Sequence, residues 1–215
     1  MRHAPSAERN REPIADALAR FPPFSGTDAS TCLEIASGTG QHAAFFASRF
    51  KHMTIQPTEY SGGSAGPESS AYGSLEPVMQ SIRAHSAGLL NVRPPIELDA
   101  AAPIWPVEPE KFGAILACNV CHISPYCVTE GLLAGSARVL CPGGGLFLYG
   151  PFKVDGQHTA PSNEAFDERL KGQNAEWGVR DSTTLAELAA NHGMMLRERV
   201  EMPSNNFLLF FELVA

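Results

Sequence analysis

The sequence predicts an α/β fold with a central, mostly parallel sheet, and three observations carry that expectation. Strand-like apolar runs alternate with helix-like segments along most of the chain. A small-residue turn, Gly38-Thr39-Gly40, joins the first apolar run to the first turns of a helix, as where a strand feeds a helix in an open sheet. The chain then closes on Met194–Met202 and Phe207–Val214, which read as an antiparallel hairpin joined by Pro203-Ser204-Asn205-Asn206. With 215 residues, 44% of them hydrophobic and 18% charged, residues 1–215 suit a single domain with a good-sized core.

In order, Glu12–Phe21 is the first expected helix, with Pro13 in its first turn and Pro22-Pro23 stopping it, so that residues 1–24 form a helical cap segment. Thr31–Ala36 is the first strand and Gln41–Phe50 the helix after the glycine turn. His52–Pro57 makes the second strand, which ends in Thr58-Glu59. Residues 61–74 are rich in Gly and Ser and are expected to form a flexible loop. Leu75–Ala87 is a helix and Ile96–Leu98 a short third strand before Asp99. Phe112–Cys118 is a fourth strand, apolar on both faces as a buried parallel strand should be. Ser124–Leu140 contains the next helix, ended by Cys141-Pro142-Gly143-Gly144-Gly145, and Leu146–Tyr149 is the fifth strand. Residues 151–181 are polar and too long for a plain connection; with one short helix near Ser162–Lys171 they read as a lid or substrate wall. Thr183–His192 is a helix with Gly193 at its C-terminal stop. Five strands and the hairpin make a seven-stranded sheet with helices for both faces.

Charge and cysteine usage narrow the function. A net charge of −7 offers no basic face on which a phosphate backbone could condense, so nucleic acid is a poor partner. No apolar run approaches the roughly 20 residues of a bilayer span, and the N-terminal stretch lacks the apolar core of a signal peptide; the chain reads as cytoplasmic, without a membrane partner. The five cysteines are odd in number and sit mostly in apolar segments, as small buried hydrophobes do in a reducing compartment. Cys118-Asn119-Val120-Cys121-His122 fits the C-x-x-C-H pattern of haem attachment, but it directly follows a strand-like run where a parallel sheet ends, and it reads as coincidence. No metal site is expected.

In an open α/β sheet the ligand sits beyond the carboxyl ends of the strands, so the loops after strands one to four should converge. Gly38 and Gly40 allow close backbone approach there, and the helix starting at Gln41 can aim its N-terminus at a ligand. Gly38 to Ala43 also fits the looser dinucleotide pattern G-x-G-x-x-A, so the turn alone does not choose a cofactor. Glu34, four residues before Gly38, would repel a pyrophosphate but suits an ammonium or sulfonium cation, unless it simply faces solvent. Glu59 ends strand two, where an acid accepts from both ribose hydroxyls. Asp99 can accept from an adenine amine or be a solvated loop residue, and the amide of Asn119 can face cofactor or reacting group. The Cys-Pro-Gly-Gly-Gly turn before strand five, followed by a terminal hairpin, is typical of class I S-adenosylmethionine-dependent methyltransferases.

The segments AERNREPI (7–14), LEIASGTGQHAAFFA (33–47), QPTE (56–59), ISP (123–125), TEGL (129–132), YGPF (149–152), SNEAFD (162–167), NAEWGVRD (174–181) and MPSNN (202–206) carry a closer likeness. Across nearly the whole chain they resemble a family of uncharacterised methyltransferase-like proteins of bacteria and animals that includes the animal methyltransferase-like protein 26. The resemblance implies a class I methyltransferase (Rossmann-like) fold with S-adenosylmethionine as cofactor. Three departures stand out: Glu59 replaces the family's usual Asp, much of the 61–74 segment is an insertion, and Ala36 occupies the first glycine position of the wider E-x-G-x-G-x-G pattern.

Methyl transfer is an in-line displacement that needs positioning more than covalent help. His122, three residues after Asn119, is the best placed general base, and Tyr149 at the end of strand five could orient a polar substrate. A loop-capping His and a core Tyr are the plain alternatives. Around the pocket mouth the expected residues are Arg9, Asn10, Asn163, Phe166, Trp177, Arg180, Asn205 and Asn206, polar and aromatic groups in loops where recognition residues concentrate. Arg180 could bind an acidic group or pair with Asp181 or Glu176. The leading expectation is a methyltransferase acting on a small polar molecule; the alternatives are a cofactor-binding module without transferase activity and a nicotinamide-dependent oxidoreductase.

Overall fold

The computed structural model describes residues 1–60, 62 and 75–214, so the loop expected at 61–74 lies outside the described residues except for Gly62. The chain runs α1 (Pro5–Leu18), β1 (Ser30–Ile35), α2 (Gln41–Arg49), β2 (Met53–Glu59), α3 (Leu75–His85), β3 (Ile96–Glu97), β4 (Phe112–Cys118), α4 (Tyr126–Val139) and β5 (Leu140–Gly150). It continues with β6 (Phe152–Val154), β7 (Gln157–His158), α5 (Pro161–Gln173), β8 (Arg180–Asp181), α6 (Ser182–Ala190), β9 (Met194–Met202) and β10 (Asn206–Leu213). Seven strands form one sheet in the order β3-β2-β1-β4-β5-β10-β9, parallel except for β10, which is antiparallel to both β5 and β9. Strand order reverses between β1 and β4, and their carboxyl ends open the crevice in which such sheets hold ligands.

Strand periodicity sorts the core. Successive side chains point to opposite faces, so Leu33 and Ile35 of β1, Ile115 and Ala117 of β4 and Leu146 and Leu148 of β5 meet Leu132, Leu133, Leu185 and Ala189 of α4 and α6. Cys32, Ala114, Leu116 and Phe147 face the other way, against Ile14 and Leu18 of α1 and Phe46 and Ala47 of α2. Phe147 stacks on Phe210 at 4.9 Å, and truncating such a buried ring costs about 3–5 kcal/mol.

Two elements differ from expectation. α1 begins seven residues before the predicted Glu12, with Pro5 in its first turn and Pro13 inside it. Its opening turns are mostly polar, with only Ala7 buried before Ile14, which is why sequence periodicity places the helix late. β5 starts at Leu140 rather than Leu146: Leu140 pairs with Phe112, the Cys141–Gly144 turn bulges out with Gly143 left-handed (φ 74°), and pairing resumes at Gly145 opposite Ala114. The 151–181 segment is more ordered than expected, since β6, β7 and β8 form a small second sheet. Among the described residues no helix is long and apolar enough to cross a membrane.

Candidate functional site

The turn after β1 is laced to β2. Ser37 N–H donates to Thr58 O at 2.7 Å, Thr58 N–H donates to Ser37 Oγ at 3.2 Å, and Thr58 Oγ1 donates to Glu34 O at 2.8 Å. Ala36, Gly38 and Gly40 are all left-handed, with φ of 53°, 56° and 86°. Ala36 therefore keeps the backbone shape of the glycine it replaces, against a cost of about 1 kcal/mol for a residue with a Cβ. At Gly40 a Cβ would come within 2.6 Å of Ile82 Cα, so this glycine serves the close packing of α3. Ser81 of α3 also donates to Thr39 O at 2.9 Å.

Glu34 lies on the α1/α2 side of β1 and is only 2% exposed, so the solvent-facing alternative does not hold. Its Oε2 is buried without a hydrogen-bond partner among the described residues. Burial pushes its pKa up to about 8; the Ser37 hydroxyl opposes the shift and the nearby Glu59 carboxylate adds to it. Glu59 reaches back to the turn: Oε2 accepts from Gly38 N at 2.8 Å and Oε1 from Tyr60 N at 3.0 Å. Burial raises its pKa as well, against those two N–H donors. Asp99, half-buried after β3, accepts from Ala101 N at 2.8 Å and hydrogen-bonds the Tyr60 side chain.

α1 roofs this face. Asn10 Oδ1 lies 2.7 Å from His42 Nε2 and its side chain also hydrogen-bonds Tyr149. Burial, then the charge of Arg11, lowers the His42 pKa to about 4, so the neutral ring donates to Asn10. Burial raises the Tyr149 pKa.

Beyond the carboxyl ends of β4 and β5 opens a cavity of about 370 Å³. Asn119 and His122 line its sheet side with Pro151; α5 contributes Ser162, Asn163, Phe166 and Arg169; the hairpin turn contributes Ser204, Asn205 and Asn206. Asn119 is left-handed (φ 60°) and tied to β5 by donating its N–H to Tyr149 O at 2.8 Å. The His122 ring packs against Gly150, where a Cβ would sit 3.2 Å from it, and meets Phe166 edge-on at 5.4 Å. Burial and the nearby Arg180 charge lower its pKa to about 4, so the ring is neutral at physiological pH.

Residues 1–213 match the model of the family described as Protein of unknown function (DUF938). The chain belongs to the DUF938 family. Its fold is similar to that of an O-methyltransferase family protein from Burkholderia thailandensis, with TM-score 0.72 and 18% identity over 98% of this chain and 58% of that one. Human N-acetylserotonin methyltransferase in complex with S-adenosylmethionine gives TM-score 0.73 and 14% identity over 98% of this chain and 53% of that one. A methyltransferase of calicheamicin biosynthesis with S-adenosylhomocysteine bound gives 0.68 and 13% over 98% and 54%. The DUF938 chain thus spans little more than half the length of these structures, and what it shares with them is the class I methyltransferase fold.

Six expected residues of this DUF938 protein meet in the cavity: Asn119, His122, Asn163, Phe166, Asn205 and Asn206. Five do not line it. Asn10 and Tyr149 bind each other under α1, Arg9 is exposed on that helix, and Trp177 is half-buried beside the cavity-forming segment. Arg180 neither faces the cavity nor pairs with the carboxylates of Asp181 or Glu176; it donates to the backbone carbonyls of Cys121 (2.9 Å), Ser124 (2.6 Å) and Glu176 (2.9 Å). Its role is to hold the Cys121–Ser124 turn that carries His122. Burial pushes the thiols of Cys118 and Cys121 up, which leaves the C-x-x-C-H pair protonated and inert at neutral pH. Sequence reasoning passed over Arg169. Asn163, Phe166 and Arg169 recur every three residues along one face of α5, so extending that stripe by one step reaches it.

Proposed function

We propose that this protein is an S-adenosylmethionine-dependent methyltransferase acting on a small polar molecule, and that its kinship reaches the animal methyltransferase-like protein 26. The observation that carries the reading is Glu34 Oε2, a buried carboxyl oxygen with no partner among the described residues, at the carboxyl end of the strand before the left-handed turn. Buried polar atoms have partners, and the ammonium of a methionine moiety is a cation of the right kind. A pyrophosphate would instead set like charges together. The residues fit such a cofactor: Glu34 would hold the amine, Glu59 the ribose, Asp99 the adenine amine, and Ala36, Gly38 and Asn119 the close backbone approach. Two of the structural neighbours carry S-adenosylmethionine or S-adenosylhomocysteine, which supports the same reading. When bound, the cofactor supplies a methyl group on a sulfonium, open to in-line displacement.

The chain's own contribution is positioning and proton handling. Arg180 fixes the turn that carries His122, and the neutral His122 ring, facing the cavity, can accept a proton from an acceptor hydroxyl. Calorimetric titration tests the cofactor: S-adenosylmethionine and S-adenosylhomocysteine should bind and NADH should not, and the reverse pattern would overturn the reading. Once an acceptor is in hand, His122→Ala should keep cofactor affinity and slow turnover by roughly 10² to 10⁴. Turnover at the wild-type rate would remove His122 from the chemistry.

A further inference from the structure

The chain carries a net charge of −7, yet no acidic residue is among the described residues that line the 370 Å³ cavity. Most of its polar side chains are already spoken for. Asn163 donates to Asn205 O at 2.9 Å and Thr159 Oγ1 at 3.2 Å, Asn205 donates to Ser162 Oγ at 3.0 Å, and Asn206 donates to Pro203 O at 3.0 Å. Two groups stand apart. Arg169 is exposed and makes no ion pair or hydrogen bond with the described residues; its guanidinium lies 5.1 Å from the centroid of the Phe166 ring, a contact that leaves its N–H donors free. His122 is 4% exposed and its ring nitrogens have no hydrogen-bond partner among the described residues. The first turn of the 13-residue α5, with Ser162 and Asn163 in the wall, adds its positive end to the same cavity.

A cation on one wall, an unpartnered base on the floor and no opposing carboxylate make a site for an anion that carries its own nucleophile. We infer that the methyl acceptor is a small hydroxylated oxyanion, a carboxylate or phosphate, held by the open edge of Arg169 with its hydroxyl against His122. This class rests on the methyltransferase reading above. Transfer to the hydroxyl forms the O–CH₃ bond and breaks the C–S bond, whose electron pair returns to sulfur; the hydroxyl proton goes to His122 and then to water. The cavity is at the small end of ligand pockets, which run to about 300–1,000 Å³.

The test uses the full chain, methyl-tritiated S-adenosylmethionine and protein-free metabolite extracts of bacterial and animal cells, with labelled products separated on an anion exchanger. The expected result is a labelled product that binds the exchanger. Arg169→Gln should raise the KM for that acceptor roughly tenfold to a hundredfold, with kcat within about threefold and cofactor affinity unchanged, and Arg169→Lys should recover part of the loss. A labelled product that is neutral or cationic overturns the anion class and leaves the transferase reading standing. An anionic product whose KM ignores Arg169→Gln overturns the assignment of Arg169. Absence of any labelled product from a protein that binds S-adenosylmethionine overturns the transferase reading and this class with it.

Discussion

Glu34 and Asp167 are equally buried, each 2% exposed, and they end in opposite states. Asp167, on α5, accepts from Lys171 Nζ at 2.8 Å and from Val179 N at 2.7 Å, with Lys153 Nζ at 3.1 Å and His158 Nε2 at 3.2 Å. Burial alone would push its carboxyl up, but Lys171, the Val179 N–H and Lys153 outweigh it and hold the pKa at about 2. Among the described residues Glu34 has one hydroxyl, no cation and a neighbouring carboxylate, and its pKa is about 8. The chain completes the first carboxylate from its own side chains, which ties β6, β7 and α5 into the wall of the cavity. It leaves the second incomplete at the mouth of the sheet crevice. Burial does not separate a structural acid from a binding acid; the presence or absence of an internal counter-charge does.

The comparison breaks most plainly through Asp167. Asp167→Ala leaves Lys153, Lys171 and His158 facing one another, and removing one side of a buried charge cluster costs about 3–5 kcal/mol. Thermal unfolding should fall by roughly 10 °C for a chain of this size while S-adenosylmethionine affinity stays within about threefold. Loss of affinity without loss of stability would invert the roles. Glu34→Gln should do the opposite: cofactor affinity down roughly tenfold to a hundredfold by calorimetry, with stability at neutral pH unchanged or higher, because a buried acid that must take up a proton to fold at that pH is gone. A fully bound Glu34→Gln variant would remove the cation site from the crevice.

pH sharpens the contrast, because the two acids shift stability in opposite windows. The folded pKa of Glu34, about 8, lies above its ordinary 4.5, so its contribution is present at low pH and is lost as pH rises from about 4.5 through 8. The folded pKa of Asp167, about 2, lies below its ordinary 3.8, so its contribution is present above that value and is lost as pH falls through 2. Each slope approaches at most about 1.4 kcal/mol per pH unit inside its window. Urea titrations across pH should show a shallower alkaline slope in Glu34→Gln, with Glu59 still contributing, and a shallower acid slope in Asp167→Asn. An unchanged alkaline slope in Glu34→Gln would mean that another group titrates there.

What the sequence made legible follows the same division. The sheet was readable because Leu33, Ile35, Ile115 and Leu148 sit in runs whose periodicity and turn residues act locally, and Glu34 was readable from its spacing to the glycine turn. Part of the cavity wall was readable because Asn163, Phe166, Asn205 and Asn206 stand out as polar or aromatic residues in polar segments. Partnership was not. Nothing in EWGVRD tells that the Arg180 guanidinium turns away to two carbonyls at the Cys121–Ser124 turn and one at Glu176, and nothing in FDERL sets Arg169 apart from a solvated helix arginine. Those facts depend on which groups 40 to 60 residues away are left unsatisfied, and only the assembled chain settles that.

Glu59 falls between the two extremes and gives the finest test. It is buried with a raised pKa, as Glu34 is, yet both of its oxygens accept backbone N–H groups, as Asp167 accepts Val179. Neutral amide replacement keeps one acceptor and turns the other into a donor facing an N–H. Glu59→Gln should therefore loosen the Gly38 turn and weaken S-adenosylmethionine binding only about threefold to tenfold, less than Glu34→Gln, since the ribose hydroxyl that Glu59 would hold is neutral and the amine that Glu34 would hold is a cation. A larger loss at Glu59 than at Glu34 would mean that the turn's clasp to β2, rather than the unpaired carboxylate on β1, sets cofactor affinity.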